Sequence, residues 1–229
     1  EIAVREPTAL ALMAVGGGTA SAPEATAIPY SILSEALLDV YQQELTPAQL
    51  AVILHTLYPD LSATDVARAI LDPTVFPNTN RTDMSAALAG AGFAADDVQD
   101  AVDTLYPSNV TVQSNVAWQS TGMTLTGRLT TSITCTGGVW TANPWTGMCG
   151  PGGNPAYVAK PGYTLPGAFE GALIGQVGNN PPFLVGNGAT APAGQSGILS
   201  LCINDDLNHM YGLGLADNRG SLNVHISCA

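Results

Sequence analysis

The sequence predicts a two-part chain, a small α-helical N-terminal domain followed by an all-β sandwich domain. Three observations carry this prediction. Residues 108–229 contain only four of the 18 acids, Glu170, Asp205, Asp206 and Asp217; the others crowd into residues 1–107. The composition switches at the same place, from Ala/Leu/Asp to Thr/Ser/Gly/Val/Asn. The hydrophobic period switches with it, from helical spacing to alternation, which places a boundary near Pro107-Ser108.

Residues 1–28 read as an extended tail, punctuated by Pro7, the Gly16-Gly17-Gly18 triplet and Pro23. A tail of this composition is held only by its own domain or by a neighbouring subunit. Its apolar stretch 8–15 is suited to adding a strand to a neighbour's sheet edge. The chain begins at Glu1 without an initiator Met, which fits removal of a secretory signal.

Residues 29–107 are expected to form the helical domain. Ile32, Leu33, Ala36, Leu37 and Val40 recur at helical spacing. Thr46, Pro47 and Gln49 supply an N-cap, a proline at the first helical position and a capping-box partner, with Leu50, Ile53, Leu54 and Leu57 on one face. Ser62 and Asp65 repeat the capping logic before Val66, Ala69 and Ile70, and two more short helices follow over 83–88 and 95–105. Thr56-Leu57-Tyr58-Pro59 returns as Thr104-Leu105-Tyr106-Pro107, and residues 61–70 are echoed by 93–102. Two copies indicate a compact bundle, since a solenoid needs about three. The acids of these helices read as a solvated face, with no acid–base pair and no EF-hand spacing.

From Val110 the period becomes two. Val110 and Val112, Met123 and Leu125, Leu129 to Cys135, 198–203 and 221–226 alternate with polar residues, separated by Gly, Asn and Pro. Short β-branched runs with frequent turn residues predict a sandwich.

Composition excludes whole classes of function. With 10% charged residues and a net charge of −12, the chain lacks the basic footprint of a nucleic-acid binder and the Lys/Arg clusters that dock on anionic lipid. No apolar stretch approaches the roughly 20 residues of a membrane span. Cys135, Cys149, Cys202 and Cys228 show no metal-finger spacing, and an even number favours two disulfides in an oxidising compartment. Pairing Cys135 with Cys149 closes a short loop and leaves Cys202 with Cys228, although four cysteines allow three connectivities. Alternation points Leu199, Leu201 and Ile203 inward and Cys202 outward. Asn80-Arg81-Thr82 and Asn109-Val110-Thr111 match glycosylation acceptors.

The candidate site is the segment 203–221, where Asp205, Asp206 and Asp217 flank a loop joining two strands. Carboxylates brought together in this way repel unless a cation neutralises them, and Asp, Asn and loop carbonyls are the oxygen ligands that Ca²⁺ takes. Gly212 and Gly214 let the backbone turn a carbonyl inward. His209 beside Asp206 is the one conceivable base, but no Gly-x-Ser-x-Gly elbow accompanies it, so the chain is read as non-enzymatic.

Four blocks resemble the PA-I galactophilic lectin-like family. They are Trp118-Gln119-Ser120-Thr121-Gly122, the run from Ile133 to Trp140, Phe169-Glu170-Gly171-Ala172-Leu173-Ile174-Gly175-Gln176-Val177-Gly178, and Asn204-Asp205-Asp206 with Asp217-Asn218-Arg219-Gly220-Ser221. The match covers about residues 110–227. The resemblance implies a jelly-roll β-sandwich with one calcium ion bridging protein and sugar hydroxyls. Carried over by motif, Asp205, Asp217 and Asn218 are the side-chain ligands, with carbonyls near Gly214 and Ala142 completing the shell. The His and Gln that grip galactose in that family have no counterpart; Tyr157 and Lys160 stand nearest, and with Asp206 they are the candidate ligand-binding residues. Tyr157, Tyr163, Trp140 and Trp145 are available as an aromatic face for a sugar ring.

Two readings follow. The first is a secreted or cell-surface, calcium-dependent carbohydrate-binding protein, adhesive in role, taking a galactoside-like or other glycan. The second is a structural subunit of an extracellular fibre or surface assembly, with the lectin-like sandwich as building block and the tail contacting a neighbouring subunit in an oligomer or filament.

Overall fold

The structure, a computed structural model, describes residues 28–41 and 44–229. The expected tail, with its apolar stretch 8–15, lies outside the described residues except for Ile28. Five helices are described: α1 (Tyr30–Tyr41), α2 (Pro47–Leu57), α3 (Ala63–Ile70), α4 (Arg81–Gly90) and α5 (Ala95–Leu105). None is long and apolar enough to cross a membrane.

Local chemistry sets their starts. Thr46 Oγ1 accepts the Gln49 N–H while the Gln49 side chain accepts the Thr46 N–H, closing a capping box with Pro47 in the first turn. Ser62 Oγ accepts from Asp65 N at 3.1 Å, and Asn80 Oδ1 accepts from Asp83 N at 2.9 Å. The Asn80 side chain of the glycosylation motif is thus in use as an N-cap. The repeated Thr-Leu-Tyr-Pro sets two stops. Tyr58 ends α2 at φ −130°, ψ 72°, and Tyr106 ends α5 at φ −123°, ψ 80°. In both, the following proline excludes the helical region for the tyrosine. Each phenol then pins an earlier carbonyl, Tyr58 that of Ile28 at 2.5 Å and Tyr106 that of Thr79 at 2.7 Å. The apolar faces of α2 to α5 share one core around Leu50, Leu54, Ile70, Met84, Leu88 and Val102, and α1 lays half-buried Leu33, Leu37 and Leu38 against it.

Strand β1 (Ser108–Gln113) starts after only Tyr106 and Pro107. There follow β2 (Gln119–Leu125), β3 (Thr131–Thr141), β4 (Gly152–Val158), β5 (Phe169–Val177), β6 (Phe183–Leu184), β7 (Gly188–Thr190), β8 (Gly197–Ile203) and β9 (Arg219–Cys228). They form two antiparallel sheets, β1-β9-β3-β7 and β2-β8-β5-β4 with β6 beside β5. Both sheets bury side chains in one common core, Ile133, Trp140, Leu222, Val224 and Ile226 from the first and Met123, Leu173, Leu199, Leu201 and Ile203 from the second. The first and last strands close on each other, Ser108 opposite Ile226 and Gln113 opposite Ser221.

Helix α5 packs on β2 and β9. Arg128, between β2 and β3, reaches back to Asp97 at 2.5 Å and Asp100 at 2.8 Å, and Thr126 donates to Asp100 at 2.6 Å.

The cysteines depart from expectation: all four are free thiols. Cys149 lies opposite Trp140, five residues farther along β3 than Cys135. At about 3.3 Å per residue that is roughly 16 Å, far beyond the roughly 7 Å between Cα atoms that a disulfide tolerates. Cys202 faces Ile174 in one sheet and Cys228 faces Thr131 in the other. Cys202 is fully buried within the common core, not turned to solvent. Burial pushes the Cys149, Cys202 and Cys228 thiols up, which makes them poor nucleophiles.

Candidate ligand cleft

Where β8 hands over to the loop before β9, the chain builds a cleft from three sequence regions. It is lined by Ala142 and Asn143 beyond β3, by Tyr163 and Glu170 at the entry to β5, and by Asp205, Asp206, Tyr211, Gly212, Leu213, Gly214 and Asp217.

Asn204 anchors the floor. Fully buried, it accepts the Leu165 N–H at 2.8 Å and donates to the carbonyls of Leu165 and Phe169, which ties the strand before the cleft to the strand end. Asp205 follows, 4% exposed. Its Oδ1 accepts the Asp206 N–H at 2.7 Å and its Oδ2 accepts from Asn218 Nδ2 at 2.8 Å. The same amide nitrogen donates to the Ser114 carbonyl at 3.0 Å. Asn218 is 6% exposed, and its Oδ1 has no hydrogen-bond partner. A buried acceptor left unpaired carries its full desolvation cost.

Asp206 shapes the loop. It accepts N–H groups from Asn208 at 3.2 Å and from Tyr211. Gly214 then turns the chain at φ +55°, and a Cβ there would sit 2.7 Å from the Asp206 carbonyl oxygen. A 3₁₀ turn, Gly214–Asp217, brings Asp217 to the cleft and is followed at once by Asn218.

The electrostatics are one-sided. Burial raises the Asp205 carboxyl to about 6, and the charges of Glu170 and Asp217 add to the rise against hydrogen bonds from Asn218 and Asp206. For Asp206 burial also pushes upward, but N–H groups of Met210, Tyr211 and Asn208 outweigh it and hold the carboxyl below its usual range. Burial, then the hydrogen bond to Glu170, raises the Tyr163 phenol. Among the described residues no Lys, Arg or His forms an ion pair with Glu170, Asp205, Asp206 or Asp217.

One wall is aromatic. Tyr163 donates to Glu170 Oε2 at 2.7 Å and stacks on Tyr211 with centroids 5.8 Å apart and planes at 22°. Tyr211 donates to the Pro161 carbonyl at 2.7 Å.

The structure therefore gathers Asp205, Asp206, Asp217, Gly214 and Ala142 around one cleft, with Asn218 beneath them. Tyr157, 46% exposed at the end of β4, is not among the lining residues, nor is Lys160, whose Nζ lies 5.9 Å from the Tyr211 ring centre. Trp140 is buried, its Nε1 donating to the Gly171 carbonyl at 2.7 Å, so it offers no face to a ligand. Asn143, Tyr211 and Leu213 join the cleft without having been named singly; Tyr211 and Leu213 lie within the candidate segment 203–221, and Asn143 follows Ala142. Among the described residues no three His, Cys, Asp or Glu side chains form a ready metal cluster. Asp205 and Asn218 meet through the amide Nδ2, and Asp217, Ala142 and Gly214 line the cleft beside Asp205.

No family model and no curated protein matches the chain. Among solved structures it is similar to one described as "EclA N-terminal domain; PllA-like lectin", at 21% identity and a TM-score of 0.41, over 53% of this chain and 96% of that chain.

Proposed function

We propose that the β half is a calcium-dependent carbohydrate-binding module, a jelly-roll sandwich without enzymatic activity on a secreted or cell-surface protein. The observation that supports this most directly is the unpartnered, buried Asn218 Oδ1 beside a buried Asp205 that has no basic partner. A hard cation satisfies both at once, taking an acceptor that lacks a donor and a charge that lacks a counter-charge. Side chains of Asp205, Asp217 and Asn218 and carbonyls of Gly214 and Ala142 would hold it. When bound, calcium supplies a positive centre for sugar hydroxyls. Asp206 and Glu170 offer carboxylate acceptors at its rim, and the Tyr163–Tyr211 wall bounds the ring.

Thermal unfolding of metal-stripped full chain tests the metal. Calcium is expected to raise the melting temperature by several degrees, EDTA to reverse the rise, and Asp217→Ala to remove the response. A melting curve indifferent to calcium sinks the metal reading. A glycan array with calcium present tests the ligand, with retention on galactosides or other hexosides expected and silence across the array counting against sugar binding.

A second reading is a structural subunit of an extracellular fibre or surface assembly. It is favoured by α1, which exposes Ile32 and Val40 at 56% and 70% on one helical stripe. Sedimentation of the full chain and of a chain lacking residues 1–28 decides it: a monomer in both, at high concentration, removes this reading.

A further inference from the structure

Trp145 is the most exposed large apolar side chain among the described residues, at 94%. Folding gains nothing from this ring, and a tryptophan left in water keeps well over a hundred square ångströms of apolar surface hydrated. Yet the turn that carries it is tightly made. Asn143 Oδ1 accepts the Trp145 N–H at 2.9 Å, and the Asn143 carbonyl accepts from Thr146 N at 3.0 Å, Thr146 Oγ1 at 2.9 Å and Thr141 Oγ1 at 2.6 Å. The Asn143 N–H donates back to Thr141 Oγ1 at 3.0 Å, Asn154 Nδ2 holds the Thr146 carbonyl at 3.3 Å, and Pro144 fixes the φ between them. The indole is therefore presented on a rigid base. That base belongs to the cleft, because Asn143 lines it and at most about 7 Å of backbone separates Asn143 from Trp145. Trp145 is not itself among the lining residues, so its ring stands outside the cleft that Asn143 borders.

We propose that Trp145 is an outer aromatic subsite, so that the cleft takes an oligosaccharide: one residue's hydroxyls lie over Asp205, Asp217 and Asn218, and the adjoining ring stacks on the indole. The physical basis is the ring quadrupole, whose negative face attracts the weakly positive C–H groups on the apolar side of a sugar. Pre-organisation by Asn143 and Pro144 adds to it, since the turn is ordered before the ligand arrives. This inference rests on the carbohydrate reading of the cleft.

The test is calorimetric titration of the calcium-loaded full chain with three mono- and disaccharide pairs: galactose and lactose, mannose and mannobiose, glucose and cellobiose. Trp145→Ala, Trp145→Phe and Asp217→Ala are compared with the unsubstituted chain; substitution of so exposed an indole leaves the fold intact. A disaccharide is expected to bind about tenfold more tightly than its monosaccharide, with a blue shift in tryptophan emission. Trp145→Ala is expected to erase that tenfold ratio and leave the monosaccharide Kd unchanged, Trp145→Phe to keep most of it, and Asp217→Ala to abolish binding of both sugars. A disaccharide that binds no better than its monosaccharide, or equally well to Trp145→Ala, overturns the subsite and leaves the cleft reading intact. Silence of the unsubstituted chain towards all six sugars overturns both. Binding to phosphatidylcholine vesicles that Trp145→Ala then removes would assign the indole to a membrane surface.

Discussion

The helical half and the β half bury carboxylates in opposite ways. In the helical half, Asp103 is 2% exposed and meets Arg81, which also donates to the Tyr106 carbonyl at 2.9 Å; Asp100 meets Arg128 and Thr126. Among the described residues each buried acid there has a counter-charge supplied by the chain itself. In the β half Asp205 and Asp206 are just as buried, but amides and backbone N–H groups are all that bind them. In the helical half a guanidinium answers each buried charge; in the β half N–H groups suffice for Asp206, while Asp205 stays raised with no cation beside it. A count of acids singles out the helical half; a count of buried acids without a cation singles out the cleft.

The contrast breaks most sharply at Arg81. Arg81→Ala leaves Asp103 buried without a counter-charge, and is expected to cost about 3 kcal/mol in denaturant unfolding, with no recovery on adding calcium. Gly214→Ala forces a side chain into a positive-φ turn and against the Asp206 carbonyl. It should cost about 2 kcal/mol and flatten the calcium response of the melting temperature. Asp205→Asn separates the two halves by sign: in EDTA it is neutral or stabilising by up to about 1 kcal/mol, since it removes an uncompensated charge, whereas in calcium it is less stable than the unsubstituted chain. Thr46→Ala removes the α2 capping box at about 1 kcal/mol, again without reference to calcium.

The smallest effect is a pH slope. Burial raises the Asp103 carboxyl above its ordinary 3.8, with hydrogen bonds from Gln99 and Arg81 opposing. The folded chain thus holds this proton more tightly than the unfolded one. The stabilisation is present in full below about pH 4 and is lost as pH rises through the raised value. Asp103→Asn should flatten that limb of a melting-temperature profile.

What was legible in the sequence was local. Thr46-Pro47-Ala48-Gln49 and Ser62 carry their caps within four residues, and Tyr58-Pro59 and Tyr106-Pro107 carry their own stops. Strand β5 was not visible as alternation, because Ala172, Leu173, Ile174 and Gly175 are buried in succession; a central strand covered on both faces has no polar side. β4, with two glycines and a proline, gave no strand pattern. The pairing of Cys135 with Cys149 depends on register: only the pairing of β3 with β9, and the place of Cys149 beside Trp140, put these two thiols out of reach. In the cleft, Asp205 and Asp217 stood out by the rarity of acids around them. Tyr163 and Glu170 reach it through the entry to β5, a non-local placement, while Tyr157 and Lys160, chosen by nearness in sequence, do not line it.

Strand β1 has a mechanical consequence. It leaves the helices through two residues and runs antiparallel to β9, whose cleft-side end begins at Arg219. A pull on the helical half enters β1 at Ser108, while a pull applied at the cleft enters β9 at the far end, beside Gln113 and Ser221. The two forces run along the strands in opposite directions. The paired residues from Ser108↔Ile226 to Gln113↔Ser221 are then loaded together in shear rather than peeled apart one at a time, so the sandwich resists tension applied along these two strands.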